Sequence, residues 1–451
     1  MATAALFEPV QPHRTRDWVP VWRGFFGERL RNTVYGWPEP AFDVGIHTRK
    51  VLSFTVHIVS DPDAVERVLL DNKANYERPG IARRILSPLL GNGLLSSEGE
   101  DWRKQRRIVA PTFAPGAVAA MAPLMDAAAQ REVEQWPQRN SNFDLAQAAT
   151  RTTMAIIADA LFGGDARLKN PAATHHIDTV LAAVGQLRFL MLLGLSHLDF
   201  SPSIRRARAS RAWLRTTLAE LVRERGPGGG ADDFFGGLIR SLHVQFPPDQ
   251  AATLAVDNAI TFYAAGHETT ANALAWTVYC LAAQPALQEQ ARSEAIAALA
   301  LPAAERAAAM PLLHQILDES LRLYPPVPRS DREAMGADEL AGQAIAKGDL
   351  ISIWPWVIHR HRALWSNPDR FDHTRFAPAA KAKLHRFQYL PFGGGPRVCV
   401  GARFATVEAL LILARWLAAR RFSVPAGWCP DPHGSVTLRP RGGMILRAEI
   451  I

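Results

Sequence analysis

Residues 391–401 read Pro-Phe-Gly-Gly-Gly-Pro-Arg-Val-Cys-Val-Gly, and the segment from Ala402 to Arg420 that follows has a helical period, with Phe404, Val407, Leu411 and Ala414 on one face. Cys399 therefore stands just ahead of a helix. Free N–H groups and the dipole at a helix start favour an anion, so a thiol there is expected to have its ordinary pKa of about 8.5 lowered. The glycines Gly393 to Gly395 and Gly401 let the backbone turn its amides toward the sulfur and let a flat, bulky group approach. Phe392 supplies an apolar wall. A thiolate held this way is a metal ligand or a nucleophile, whereas Cys280 and Cys429 read as buried structural cysteines. The loop is not a phosphate loop, because neither Lys-Ser/Thr nor the third glycine of a dinucleotide fingerprint follows Gly393-Gly-Gly395.

Upstream, Pro247-Pro248-Asp249 opens the longest helical pattern, which runs to about Ala283 and spans roughly 50 Å at 1.5 Å per residue. Its middle reads Ala264-Ala-Gly-His-Glu-Thr-Thr270. Gly costs about 1 kcal/mol inside a helix, and Thr hydroxyls can bond the carbonyl four residues back, so a kink or a groove is expected there. Small residues at that point let a ligand lie against the backbone, and Glu268-Thr269 pairs an acid with an alcohol that can relay protons. His267-Glu268 does not begin a zinc-protease helix, because position 271 is Ala.

The 451 residues are 48% hydrophobic and 21% charged, with a net charge of +8 and a pI of about 9.7. Such a chain buries a sizeable core, is not disordered, and carries a basic patch at most. Three cysteines exclude a disulfide scaffold and suit a reducing compartment. The N-terminus lacks a secretory pattern, and no segment approaches the ~18 apolar residues of a transmembrane helix. The longest apolar run, Phe189 to Leu195, reads as buried core. A soluble, cytoplasmic protein with no transmembrane anchor is expected. Strand character at Leu52–Ser60 and Leu350–Trp354, an amphipathic helix at Ala64–Leu70, and helices from Asp101 to Pro111 and from Pro311 to Leu323 make the fold mainly α with a smaller β part. Gly226 to Gly230 reads as a long surface turn.

The spacing Phe392-x-x-Gly395-x-Arg397-x-Cys399-x-Gly401 resembles the heme-binding loop of the cytochrome P-450 family of heme-thiolate monooxygenases, soluble bacterial-type members in particular. The resemblance implies a single domain over residues 1–451. It places heme b (iron protoporphyrin IX) between the long central helix and the Cys-loop helix, with Cys399 as the axial metal ligand. Glu268-Thr269 is similar to the family's acid–alcohol pair, with Thr269 steadying dioxygen, Glu268 feeding protons, and Ala265 and Gly266 leaving room beside the heme. Ala264, Ala265 and the loop around Val327 would line the distal pocket, with the loops near 76 to 90 capping it. Trp102, Arg106, Arg397 and Arg332 become propionate contacts. Glu319-Ser-Leu-Arg322 resembles the family's helix pair, completed by Arg375 in Phe371-Asp-His-Thr-Arg375-Phe376; His373 departs from the proline common at that turn.

No flavin or iron–sulfur domain is expected after the Cys helix, and electrons are expected from an external ferredoxin or flavodoxin with an NAD(P)H-dependent reductase. Arg103, Lys104, Arg107, Lys381, Lys383, Arg386 and Arg403 are the candidate docking cations. The expected reaction inserts one atom of O2 into an apolar small molecule such as a fatty acid, terpenoid, steroid or aromatic compound. A peroxide-driven enzyme on the same fold would dispense with the acid–alcohol pair, and a heme-binding sensor or carrier would not need it. No nucleic-acid motif is present.

Overall fold

A computed structural model describes residues 6–451 except 21–22, 24–25, 52–53, 81, 83–86, 88–89 and 185–200. The apolar run Phe189 to Leu195 and much of the loop region near 76 to 90 lie outside the described residues.

Among the described residues, ten helices of eight or more residues build the larger part. They are α1 (Gly99–Val109), α2 (Pro115–Glu134), α3 (Leu145–Phe162), α4 (Pro171–Val184), α5 (Pro202–Arg225), α6 (Phe234–Gln245), α7 (Pro248–Ala282), α8 (Pro285–Leu299), α9 (Pro311–Leu323) and α10 (Ala402–Ala419). Their ends follow local chemistry. α7 and α9 open on proline, which lacks the N–H that a first turn would leave unpaired. The next two N–H groups of α9, from Leu312 and Leu313, are accepted by the Glu294 carboxylate at 2.9 and 2.8 Å. Asp144 accepts from Ala146 N–H to cap α3, and Asp233 accepts from Gly236 N–H to cap α6.

α7 is one unbroken helix of 35 residues. It packs against α3, α5, α6, α9 and α10 and forms the axis of the main core. Trp276 on α7 stacks on Tyr324 at 4.0 Å just past the end of α9. Its apolar residues point in almost every direction, because neighbours surround it.

The β part is an edge structure. Five strands lie in the order β1 (Ile46–Val51), β2 (Phe54–Val59), β8 (Leu350–Ile353), β5 (Ser330–Ala334), β3 (Tyr76–Glu77). β1 and β2 form a hairpin with Ile46 opposite Val59, and β2 runs parallel to β8 with Val56 beside Leu350. The strand character expected over Leu52–Ser60 is thus the second arm of a hairpin. β6 (Asp338–Leu340) pairs with β7 (Gln343–Ile345), and β10 (Asp431–Gly434) with β11 (Leu438–Arg441). β4 (Ser141–Asp144), β12 (Ile445–Ile450) and β9 (Arg420–Ser423) make a three-stranded sheet. The helix expected at Ala64–Leu70 is a short α-turn, Pro62–Glu66, followed by a π-helical turn, Arg67–Asp71.

Candidate functional site

Cys399 N–H donates to the Phe392 carbonyl at 2.9 Å, which closes the glycine loop on itself. Gly395 sits at φ 66°, and a Cβ there would fall on the Leu69 carbonyl of the π-helical turn. No other residue fits that position without moving one of the two segments. Cys399 keeps an open face, although protein surrounds it so closely that burial pushes its thiol up from the ordinary value. The Gly401 N–H and the Arg106 guanidinium pull the other way and lose. The expected lowering by the helix start is therefore corrected: desolvation outweighs it. Sequence showed the amides but not the depth.

Beside the loop lies a surplus of positive charge. Arg397 donates to the Ser97 carbonyl at 3.1 Å, pairs with the Glu98 carboxylate, and stacks over the Trp102 ring at 4.3 Å. Arg78 stands 3.9 Å from the same carboxylate, with one buried amino group lacking any hydrogen-bond partner. Arg332 donates to Ser330 and the Asp331 carbonyl. It feels both Arg78 and Glu98, while Arg106 is felt by Arg397 and by Cys399. Burial pushes all four guanidiniums down, Arg397 to about 10. Asp331 is already held by Arg329 at 2.8 Å and Ser352 at 2.7 Å. Four half-buried cations thus share one free carboxylate, and a group bearing two carboxylates fits that imbalance, as heme b does. An open cysteine sulfur and apolar side chains left exposed at Leu95, Val327 and Val398 suit its iron and its flat body. Arg78 and Glu98 went unrecognised as site residues in the sequence, since Arg78 follows a two-residue strand and precedes a proline with no periodicity to mark it.

The central helix offers one open window. Ala265 is exposed and Gly266, Glu268 and Thr269 are half-buried, in a helix that is otherwise buried from Leu254 to its end. Thr269 Oγ1 donates to the Ala265 carbonyl at 2.8 Å, the back-bond expected of a mid-helix threonine. Cys429, expected to be buried, is exposed, and two expectations at this helix are corrected. Ala264 is buried in the core and lines no opening. Gly266 gives room to a protein neighbour: a Cβ there would lie 2.5 Å from Cδ1 of Ile157 on α3. Glu268 accepts from Thr437 Oγ1 at 2.7 Å, with Arg439 at 3.9 Å. One step along, Thr270 faces Glu408 of α10. Glu408 is 0% exposed, and neither of its oxygens completes a hydrogen bond. Burial holds that carboxyl well above the carboxylate range. In sequence Glu408 looks like one polar residue of an amphipathic helix.

Glu319, Arg322 and Arg375 meet. Glu319 and Arg322 are 0% exposed and joined by two bonds of 2.7 Å, and Arg375 Nε stands 3.5 Å from Glu319. Arg322 also donates to the carbonyls of His359 at 2.5 Å, Pro368 at 2.7 Å and Arg370 at 3.1 Å. His359 passes the order on: Leu390 N–H donates to its Nε2 at 2.8 Å, so its Nδ1–H faces the Arg322 carbonyl at 3.1 Å. Leu390 lies two residues before Phe392, so the brace ends in the Cys loop.

A mainly helical fold with a glycine-turned cysteine loop before its last long helix defines the heme-thiolate class. The cytochrome P450 family model matches residues 45–447, and the chain belongs to that family. It is a monooxygenase, an oxidoreductase whose family carries heme b on a cysteine thiolate and uses O2 with electrons from a redox partner. It is similar to cyclooctatin synthase of Streptomyces melanosporofaciens, 29% identical with 87% of this chain and 84% of that protein covered. It is also similar to cyclooctat-9-en-7-ol 5-monooxygenase of the same organism, at 28% with 80% and 79% covered. The crystal structure of the cytochrome P450DA heme domain superposes with a TM-score of 0.79 at 26% identity, covering 90% of each chain.

Proposed function

We propose that residues 1–451 form a single heme-thiolate domain that inserts one oxygen atom of O2 into an apolar small molecule, with Cys399 as the axial ligand. The observation that carries this reading is the exposed Cys399 beside four half-buried, desolvated guanidiniums that share one carboxylate. Arg78, Arg106, Arg332 and Arg397 would hold the two propionates, with Trp102 stacked behind Arg397. Heme on a thiolate supplies electron push toward O–O cleavage when bound.

The chain's own residues supply the rest. Leu95 and Val327 offer exposed apolar side chains to an apolar substrate. Ala265 keeps the window in the central helix low enough for a ligand to lie against it. Thr269 holds a hydroxyl at that window, and Glu268 holds a carboxylate that can take a proton from water and return it inward. A fatty acid, terpenoid, steroid or aromatic compound suits such apolar surface, and the name of the relative cyclooctat-9-en-7-ol 5-monooxygenase, which acts on an alkenol, supports a largely hydrocarbon substrate.

Electrons come in this reading from an external ferredoxin or flavodoxin and its NAD(P)H-dependent reductase. Arg107, Lys383 and Arg403 are exposed cations with no ion pair among the described residues, whereas Arg103 is paired with Glu100 and Lys381 with Asp318. Lys104 and Arg386 lie over Phe246 and Phe387. Three free cysteines fit the reducing cytoplasm, and among the described residues no single helix is long and apolar enough to cross a membrane.

The test is spectroscopic. Reduced protein under carbon monoxide is expected to show the absorption of thiolate-ligated iron, and Cys399→Ser is expected to abolish it. A colourless protein, or a nitrogen-ligated spectrum unaffected by Cys399→Ser, overturns the reading.

A further inference from the structure

The C-terminal hairpin of β10 and β11 has so far entered only as a neighbour of Glu268, yet it holds the carboxylate to which the proposed mechanism assigns the proton. We propose that Thr437 is a positioning residue for Glu268, and that the seam between α7 and this hairpin is the port through which solvent protons reach the site. This rests on the acid–alcohol reading of Glu268 and Thr269 given above.

Three observations carry it. Thr437 is only 5% exposed, and its Oγ1 donates to Glu268 Oε1 at 2.7 Å, so the bond is shielded from competing water. Arg439 stands 3.9 Å from the same oxygen with its side chain 48% exposed, while the Glu268 side chain is 18% exposed. A line of groups therefore runs from open solvent, past a cation, to a carboxylate on the helix that carries Thr269. The hairpin is itself fixed: Leu438 N–H donates to the Pro326 carbonyl at 2.9 Å, and β11 packs on α7. A second donor holding one oxygen leaves the other free to exchange protons. A hydronium ion at the seam gives a proton to Oε2 and leaves as water, and the neutral carboxylic acid then releases the proton inward and is a carboxylate again.

A threonine with a purely structural role would be replaced by valine with no change at Glu268. The experiment compares Thr437→Val, Thr437→Ser and Glu268→Gln in the heme-loaded enzyme. One readout is the infrared carboxylate band of Glu268, identified as the band lost in Glu268→Gln. The other is the ratio of hydrogen peroxide to water formed from O2 without organic substrate, with electrons from a plant-type ferredoxin and its reductase. Peroxide leaves when the second proton reaches the wrong oxygen of the reduced O2, so the ratio reports the accuracy of delivery.

The expected result is that Thr437→Val shifts the Glu268 band and raises the peroxide-to-water ratio about tenfold, the scale of one hydrogen bond to a charged group. Thr437→Ser is expected to restore both, with the carbon monoxide spectrum unchanged throughout and the melting temperature of Thr437→Val lower by only about 2–3 °C, the cost of the one bond. If Glu268→Gln raises the ratio and Thr437→Val does not, or if serine fails to rescue, the positioning role is overturned while the acid–alcohol reading stands. If Glu268→Gln itself leaves the ratio unchanged, the acid–alcohol reading falls and this inference with it.

Discussion

Replacing Arg322 by lysine keeps the charge and removes the fork. Arg322 is wholly buried and spends its five N–H groups on five acceptors: two Glu319 oxygens and the carbonyls of His359, Pro368 and Arg370. Lysine has three donors on one nitrogen, so at least two acceptors lose their partner in a place water does not reach. Each buried polar group left unsatisfied costs about 1–3 kcal/mol, so the loss is on the order of 4 kcal/mol. With ~2.1 cal/mol/K of unfolding entropy per residue, 451 residues give about 0.95 kcal/mol/K, and the melting temperature is expected to fall by about 4 °C. The loss reaches the Cys loop as well, because the released carbonyl at His359 belongs to the residue that orients Leu390 N–H. Scanning calorimetry measures the first effect, and the decay of the thiolate-type carbon monoxide spectrum on standing measures the second. A melting temperature within about 1 °C of the wild type would show that the five bonds are not worth their buried-state value and would refute the reasoning.

Three further outcomes are expected. Burial pushes His359 down to about 3, so its neutral form is the folded one and the unfolded chain binds the extra proton. Its stability contribution is complete above the unfolded value of about 6.5 and falls by about 1.4 kcal/mol per pH unit as pH drops from there toward 3. Melting curves between pH 7 and 5 are expected to show a shallower slope in His359→Gln than in the wild type. Arg78→Gln removes one of four crowded cations, so the heme-free protein is expected to melt no lower than the wild type while heme dissociates about tenfold faster, the scale of one charge-assisted bond; equal heme loss would argue against a propionate role. Arg107→Glu is expected to slow reduction by ferredoxin at low salt and to converge on the wild type at high salt, as stopped-flow reduction measures.

Much of this was legible because it is local. The Pro247-Pro248 start fixes α7 to within a residue, and the prolines after Leu323 end α9, since both act on their own backbone. The Cys loop and the pairing of Glu319 with Arg322 follow from spacing on one turn. What the sequence hid is azimuth and depth. Ala264 and Ala265 are adjacent and chemically identical, yet one is buried and the other open, because successive helix positions point about 100° apart and nothing local sets which one meets the cavity. Gly266 proved to serve Ile157, which is more than a hundred positions away in the chain. The direction of the Cys399 shift likewise depends on atoms brought in from other elements, and Glu408 becomes unusual only once every neighbour has failed to pair with it.

The two sides of the Cys loop obey different physics, and the difference says how the site is assembled. The loop's shape does not depend on the charge of its sulfur. It is clamped from one side by Leu69, whose π-helical turn is tied down by Asp338. That carboxylate takes bonds from Arg67, from Asn72 at 2.9 Å and from Tyr76 at 2.7 Å, which hold it well below the usual range. It is clamped from the other side by His359 through Leu390. Both clamps use backbone groups and neutral or fully paired side chains, so the loop is formed before any ligand arrives. The arginines beside it are the reverse: their charges repel, burial penalises each, and Glu98 balances one of four. Rigid geometry joined to unresolved charge is the condition under which binding of a dianionic group stabilises the folded state without reshaping it. Heme-free protein is therefore expected to keep its helical content and to gain melting temperature on loading, rising with the logarithm of free heme concentration, as circular dichroism and calorimetry measure. A large gain in helix on loading would show that the loop is not preformed.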